Sequence, residues 1–171
     1  MNADILKTEL LKYYREKRGF YICATEVDNE IERADVLLMN DKEIIEIEVK
    51  MNWKDFLADF KTKSKHIIPP AKPNLKYVFL KANRFFFCVP NSLGDRCNHY
   101  LIDNNYDYGL IVFSGVLTQI KRCKRLKELD EYETKRLRKN IIFRATSELV
   151  KLRYEKMEKE IRKGIIDERQ V

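Results

Sequence analysis

Apolar residues recur along this chain in two rhythms, one at helical spacing and one as short unbroken runs. Ile5, Leu6, Leu10, Leu11, Tyr13 and Tyr14 fall on one helical face. Gly19, after the basic Lys17-Arg18, is how such a helix stops. Phe20 to Val27, Arg33 to Leu38 and Ile44 to Lys50 follow as predicted strands, and the turn signal Asn40-Asp41 makes the last two a hairpin. Trp53, Phe56, Leu57 and Phe60 return to the spacing of a helix buried on one side, which Pro69-Pro70-Ala71-Lys72-Pro73 ends. Beyond a loop from Ile67 to Ala82, Asn83 to Val89 is a predicted strand and Ser92 to Leu101 a short helix. Gly109 to Phe113 and Val116 to Ile120 then pair across Ser114-Gly115. From about Leu126 to Lys163 the chain is charged and free of proline, which predicts either one long helix or two that meet at a break near Asn140. The order describes an α/β fold, a small mixed sheet flanked by helices. Residues 1–125 form the domain, and residues 126–171 form a helical extension packed on it or projecting from it.

Composition narrows the class. The 171 residues are 44% hydrophobic with only 5 Gly and 4 Pro, so the chain can bury a real core and is not a disordered one. No run approaches the length of a membrane span, and the opening residues lack a basic, apolar leader, so the expected location is cytoplasmic with no membrane partner. Cys23, Cys88, Cys97 and Cys123 contain no C-x-x-C pair and are expected as small buried hydrophobes. Cys97-Asn98-His99 has half the look of a zinc site and no second half. The net charge of +7 suits a polyanion such as nucleic acid, although a solvated lysine-rich surface gives the same total.

The candidate chemistry lies in the hairpin. Asp35 sits in Arg33-Ala34-Asp35-Val36-Leu37-Leu38, and Glu48-Val49-Lys50 ends the run that starts at Ile44. Charges are costly on half-buried strands. Acid-x-Lys also occurs at Asp59-Phe60-Lys61 and Glu133-Thr134-Lys135, but in helical patterns, where residues two apart diverge. In a strand they share a face, so Glu48 and Lys50 project together while Ile45, Ile47 and Val49 pack opposite. If the hairpin places Asp35 beside Glu48, the two carboxylates and the backbone carbonyl of Val49 could hold Mg²⁺ or Mn²⁺. Lys50 would then serve a scissile phosphate. The alternative is a surface ladder of ion pairs among Asp35, Glu46, Glu48 and Lys50. Glu46 shares the face of Glu48 and could belong to either arrangement.

These residues resemble the PD-(D/E)XK, or restriction-endonuclease-like, nuclease superfamily, whose pattern is a glutamate on the first helix, an aspartate on the second strand and acid-x-Lys on the third. Within it the chain is most similar to the MmcB-like DNA-repair family. That resemblance runs through Thr25-Glu26-Val27, Arg33 to Val36, Glu46 to Lys50, Asp55 to Lys61, Arg84 to Pro90 and Tyr108 to Ile111, about residues 5 to 125 in all. It implies a restriction-endonuclease-like core and a metal-dependent DNA endonuclease or repair nuclease. Asp35, Glu48 and Lys50 would be its centre, with Glu9 or, in competition, Glu26 completing the metal site. The loop from Ile67 to Ala82 and the tail after Lys127 depart from the pattern.

Lys61 and Lys65, after the hairpin, and Lys121, Arg122, Lys124 and Arg125 are expected phosphate contacts, since lysine binds phosphate without reading sequence. Trp53 and Phe85-Phe86-Phe87 are expected in the core. His66 and His99 are expected as surface or hydrogen-bonded residues, not general bases. A different class remains open: a nucleic-acid-binding or scaffold protein that keeps the fold without turnover. A homodimer formed through the helical tail is a refinement of the nuclease reading.

Overall fold

The computed structural model describes residues 2–29, 32–66 and 80–168, with side chains as far as residue 162. Helix α1 spans Ala3–Arg18, β1 Ile22–Asp28, β2 Arg33–Met39, β3 Ile44–Val49 and α2 Trp53–Thr62. A short 3₁₀ turn, Ser64–His66, follows. Then come β4 Arg84–Pro90, α3 Asn91–Asp103, β5 Gly109–Phe113, β6 Leu117–Lys121 and α4 Glu131–Glu168. The proline-rich segment and most of the loop expected between Ile67 and Ala82 lie outside the described residues.

The strands form one six-stranded sheet in chain order. β1, β2 and β3 are antiparallel, β3, β4 and β5 are parallel, and β6 returns antiparallel to β5. Hairpin turns suffice for the antiparallel pairs, whereas the two parallel steps need the crossovers that contain α2 and α3. The fold is therefore α/β with a mixed sheet, helices on both faces and a long C-terminal helix.

Strand alternation divides the core. Val36, Leu38, Ile45, Ile47, Val49, Phe86, Cys88 and Ile111 meet Leu6, Leu10 and Tyr14 of α1 on one face. Phe85, Phe87, Val89, Leu110 and Val112 meet α2 and α3 on the other. At the β1 end, Ala24, Leu37, Met39 and Ile44 pack on Leu137 and Ile141 of α4. Helix α1 stops at Gly19, whose φ of 70° is left-handed and whose N–H donates to the Tyr14 carbonyl.

The structure decides two points left open by the sequence. The tail is one continuous helix with no break at Asn140, whose side-chain amide donates to the Asp28 carbonyl (3.1 Å) and fastens α4 to β1. The helix begins at Asp130, whose carboxylate accepts from the Glu133 amide (2.8 Å) as an N-cap. The first half of α4 packs on the sheet, and residues 151–162 are exposed on every side. Cys97 is buried in α3 while His99 is exposed and bonded to the Asp95 carbonyl, so the two share no site. Cys88 and Cys123 are also buried, Cys23 is half-buried, and all four are free thiols. Among the described residues no helix is long and apolar enough to cross a membrane.

Candidate functional site

The β2–β3 ladder pairs Val36 with Ile47 and stops there, so Asp35 and Glu48 come next at the open end of the hairpin. The backbone amide of Val49 donates to Asp35 Oδ2 (2.8 Å), a side chain taking the place of the next ladder bond. β1 is irregular at the same level. Thr25 pairs with Val36 and Val27 with Ala34, while Glu26 between them has φ of 55°. A left-handed glutamate is rare and costs backbone energy, so its neighbours must impose it. Glu26 receives a hydrogen bond from Lys7 of α1, and the same ammonium lies 3.1 Å from Asp35 Oδ1.

Glu48 is almost fully buried and saturated with lysine. Lys65 donates to its Oε1 (2.6 Å), while Lys50 (3.0 Å) and Lys63 (2.6 Å) donate to its Oε2. Lys65, itself 1% exposed, also donates to Glu46 Oε1 (2.5 Å) and lies 3.7 Å from Glu32 Oε2, a buried oxygen with no hydrogen-bond partner. Asn29 completes Glu46 at 3.2 Å. Lys50 reaches on to Asp59 Oδ1 (2.5 Å), which Lys63 also approaches (3.2 Å). Asp59 Oδ2 and Tyr108 Oη each lie 3.0 Å from a ring nitrogen of His66. A carboxylate only accepts, so Nε2 carries the proton to Asp59 and Nδ1 accepts from the tyrosine hydroxyl.

Charge follows geometry. Burial pushes the Glu48 carboxyl up, but Lys65, Lys50 and Lys63 outweigh it and hold it at about 2. Burial opposes the Lys50 and Lys65 ammoniums, and the surrounding carboxylates reverse this, so both are raised and stay charged. Lys50 is therefore a fixed cation and not a base. Asp59 lies below its usual range: burial is overcome by His66, Lys50 and Lys63. Asp35 differs, raised first by burial and then by the charge of Glu48, against the Val49 amide and Lys7. That repulsion is also the sign that the two carboxylates feel each other.

The other expected residues fall elsewhere. Glu9 is half-buried on α1, two residues from Lys7 and so on another face, and no side-chain hydrogen bond or ion pair joins it to the cluster among the described residues. Lys61 and Arg122 are exposed. Lys65 is not the surface phosphate contact expected of it, because the turn after α2 folds back and buries its ammonium between Glu46 and Glu48. Lys121 is likewise committed, donating to the carbonyls of Tyr106 (2.8 Å) and Tyr108 (2.6 Å). Lys124 pairs with Asp107 (2.9 Å) and Arg125 with Glu128 (3.0 Å). Lys7, Asp59 and Lys63 were not singled out in the sequence. One signal was present: Asp59 lies beside Phe56 and Phe60 on the apolar stripe of α2, where a charge is out of place unless it is paired.

Among the described residues no group of three or more His, Cys, Asp or Glu side chains is arranged to hold a metal ion. Asp35 and Glu48 are two hard oxygen donors at mutual repulsion, a donor set that suits Mg²⁺ or Mn²⁺ in kind. Lys7 and Lys63, both partly exposed, pair with these carboxylates from either side.

No protein-family model matches the chain, and no curated protein matches it. Among solved structures it is similar to SPO1766, a protein of unknown function from Silicibacter pomeroyi. The identity is 21% and the TM-score 0.63, over 85% of this chain and 86% of the other. A likeness at that identity concerns the fold alone.

Proposed function

We propose that this chain is a metal-dependent deoxyribonuclease with a restriction-endonuclease-like core, allied to the MmcB-like DNA-repair proteins. The observation that supports it is the meeting of Asp35 and Glu48 at the open end of the β2–β3 hairpin, with Lys50 hydrogen-bonded to Glu48. Asp35 and Glu48 would hold Mg²⁺ or Mn²⁺. The chemistry supplied by a dication there is acidification of a water and polarisation of the phosphoryl group. Lys50, kept protonated and aimed by Glu48 and Asp59, offers N–H donors to the negative charge that builds on the phosphate. Lys7 fixes the Asp35 carboxylate from the α1 side, and Glu26, turned by its left-handed backbone, fixes Lys7.

The test is cleavage of linear, nicked, flapped and four-way-junction DNA with Mg²⁺ or Mn²⁺. Asp35→Asn and Lys50→Met are expected to abolish cleavage while the fold persists. Full activity in folded Lys50→Met protein would defeat the mechanism.

A second reading rests on a specific observation: both oxygens of Glu48 are already neutralised by lysines. In that reading the chain binds nucleic acid and has no turnover. Calorimetry with Mn²⁺ separates the two, because heat that disappears in Asp35→Asn supports the nuclease and its absence in the wild-type chain supports the binding protein.

A further inference from the structure

An open groove of about 560 Å³ runs between β1 and α4, lined by Glu26, Asp28, Arg136, Lys139, Phe143 and Arg144. We propose that this groove holds a single strand of nucleic acid and leads it to Asp35. The inference rests on the nucleic-acid part of the reading above and not on turnover.

Three observations converge. The α4 wall of the groove carries Arg136, Lys139 and Arg144, with no acid anywhere in residues 135–144. Arg144 is built in: its Nε donates to the Thr25 carbonyl (3.2 Å) and its Nη2 pairs with Glu148 (3.0 Å), which leaves other guanidinium N–H groups for a phosphate. Lys139 is exposed. Within this basic surface stands Phe143, 73% exposed, a large ring kept in water where a base could cover it. Cations along a backbone track with an aromatic platform are how sequence-tolerant proteins bind single strands, because every base has a π-face.

The acids in the groove do not oppose this. Glu26 is already matched by Lys7 and Arg33, and it joins the groove to the site, since Lys7 also touches Asp35. The backbone carbonyl of Asp28, also on the wall, accepts from the Asn140 amide and holds α4 against β1. A duplex presents its bases stacked inward, so only an unpaired strand can use Phe143.

The experiment is fluorescence anisotropy of the full chain in EDTA. Its probes are oligothymidylate and oligouridylate of about sixteen nucleotides, a length on the order of the larger single-strand sites, and a duplex of equal length. The expected result is tighter binding of either single strand than of the duplex. Phe143→Ala should weaken single-strand binding about tenfold, and Lys139→Gln should lower the salt slope by about 0.7. Both positions are exposed, so unchanged melting temperatures should accompany these effects. Duplex bound as tightly as single strand, or binding unaltered in both variants, overturns the proposal. So does loss of self-association in Phe143→Ala with oligonucleotide binding intact, which would give that ring to a dimer contact. Because no divalent ion is present, failure of cleavage with groove binding intact sinks the nuclease reading alone.

Discussion

Lys65 is the residue on which the buried charges turn. Its ammonium sits between Glu46 and Glu48, all three side chains almost wholly out of water. Removing one member of such a cluster strands the others in a medium that cannot solvate them. Lys65→Met should therefore destabilise the fold by about 3–5 kcal/mol, measured by urea unfolding. A loss under about 1 kcal/mol would mean that water reaches the two glutamates. Asp35 is the opposite case, because burial and Glu48 disfavour its ionised form while its Oδ2 needs only to accept from Val49. Asp35→Asn keeps an acceptor of the same shape, so stability at neutral pH should be unchanged or slightly higher while any cleavage is lost. Clear destabilisation would make Asp35 structural. Glu48 and Lys50 stood out in the sequence because alternation in a strand is a local rule. Asp59 and Lys63 did not, and Lys65 was expected at the surface, because what joins the three to Glu48 is the path of the chain after α2, a tertiary fact that no spacing encodes.

The elements themselves were legible wherever an apolar face repeats, as in α1, the β2–β3 hairpin and α2. Less legible was which strands run parallel, since that depends on the crossovers and not on the strands. Gly109 shows how tightly β4 and β5 meet. A Cβ built there would lie 2.2 Å from the buried Phe86 ring. Gly109→Ala should cost about 1–3 kcal/mol by overpacking, read from a urea midpoint. An unchanged midpoint would show that the Phe86 ring can move aside. In α4 the choice between one helix and two was not legible at Asn140, because an asparagine can end a helix or, as here, serve as a tertiary hydrogen-bond anchor within one. Residues 151–162, exposed all round, contribute little to the domain. A chain ending after Glu148 should melt within a few degrees of the full one, and a large drop would mean that this segment packs against a partner copy.

For the whole molecule, the buried cluster makes stability a function of pH, and the signs can be worked out group by group. Glu48 is held at about 2, against an ordinary value of 4.5, so its stabilisation is complete above 4.5 and lost as pH falls towards 2. Asp59, also depressed, acts in the same sense below its ordinary 3.8. His66 lies below its ordinary 6.5 because burial and Lys65 outweigh Asp59, so the unfolded chain takes up a proton first and stability begins to decline as pH falls through 6.5. Asp35, raised in the fold, works the other way and recovers a little stability in acid. Three groups against one predict a plateau near neutrality, a shallow loss below 6.5 and a steep one below 4.5. Urea titrations at about pH 8, 5.5 and 3.5 measure it. Replacing His66 with Gln should remove the shallow phase and leave the steep one. If stability instead holds level down to pH 3.5, Glu48 and Asp59 are not ionised partners of those lysines in solution, and the same error would undercut the charged Lys50 on which the proposed chemistry depends.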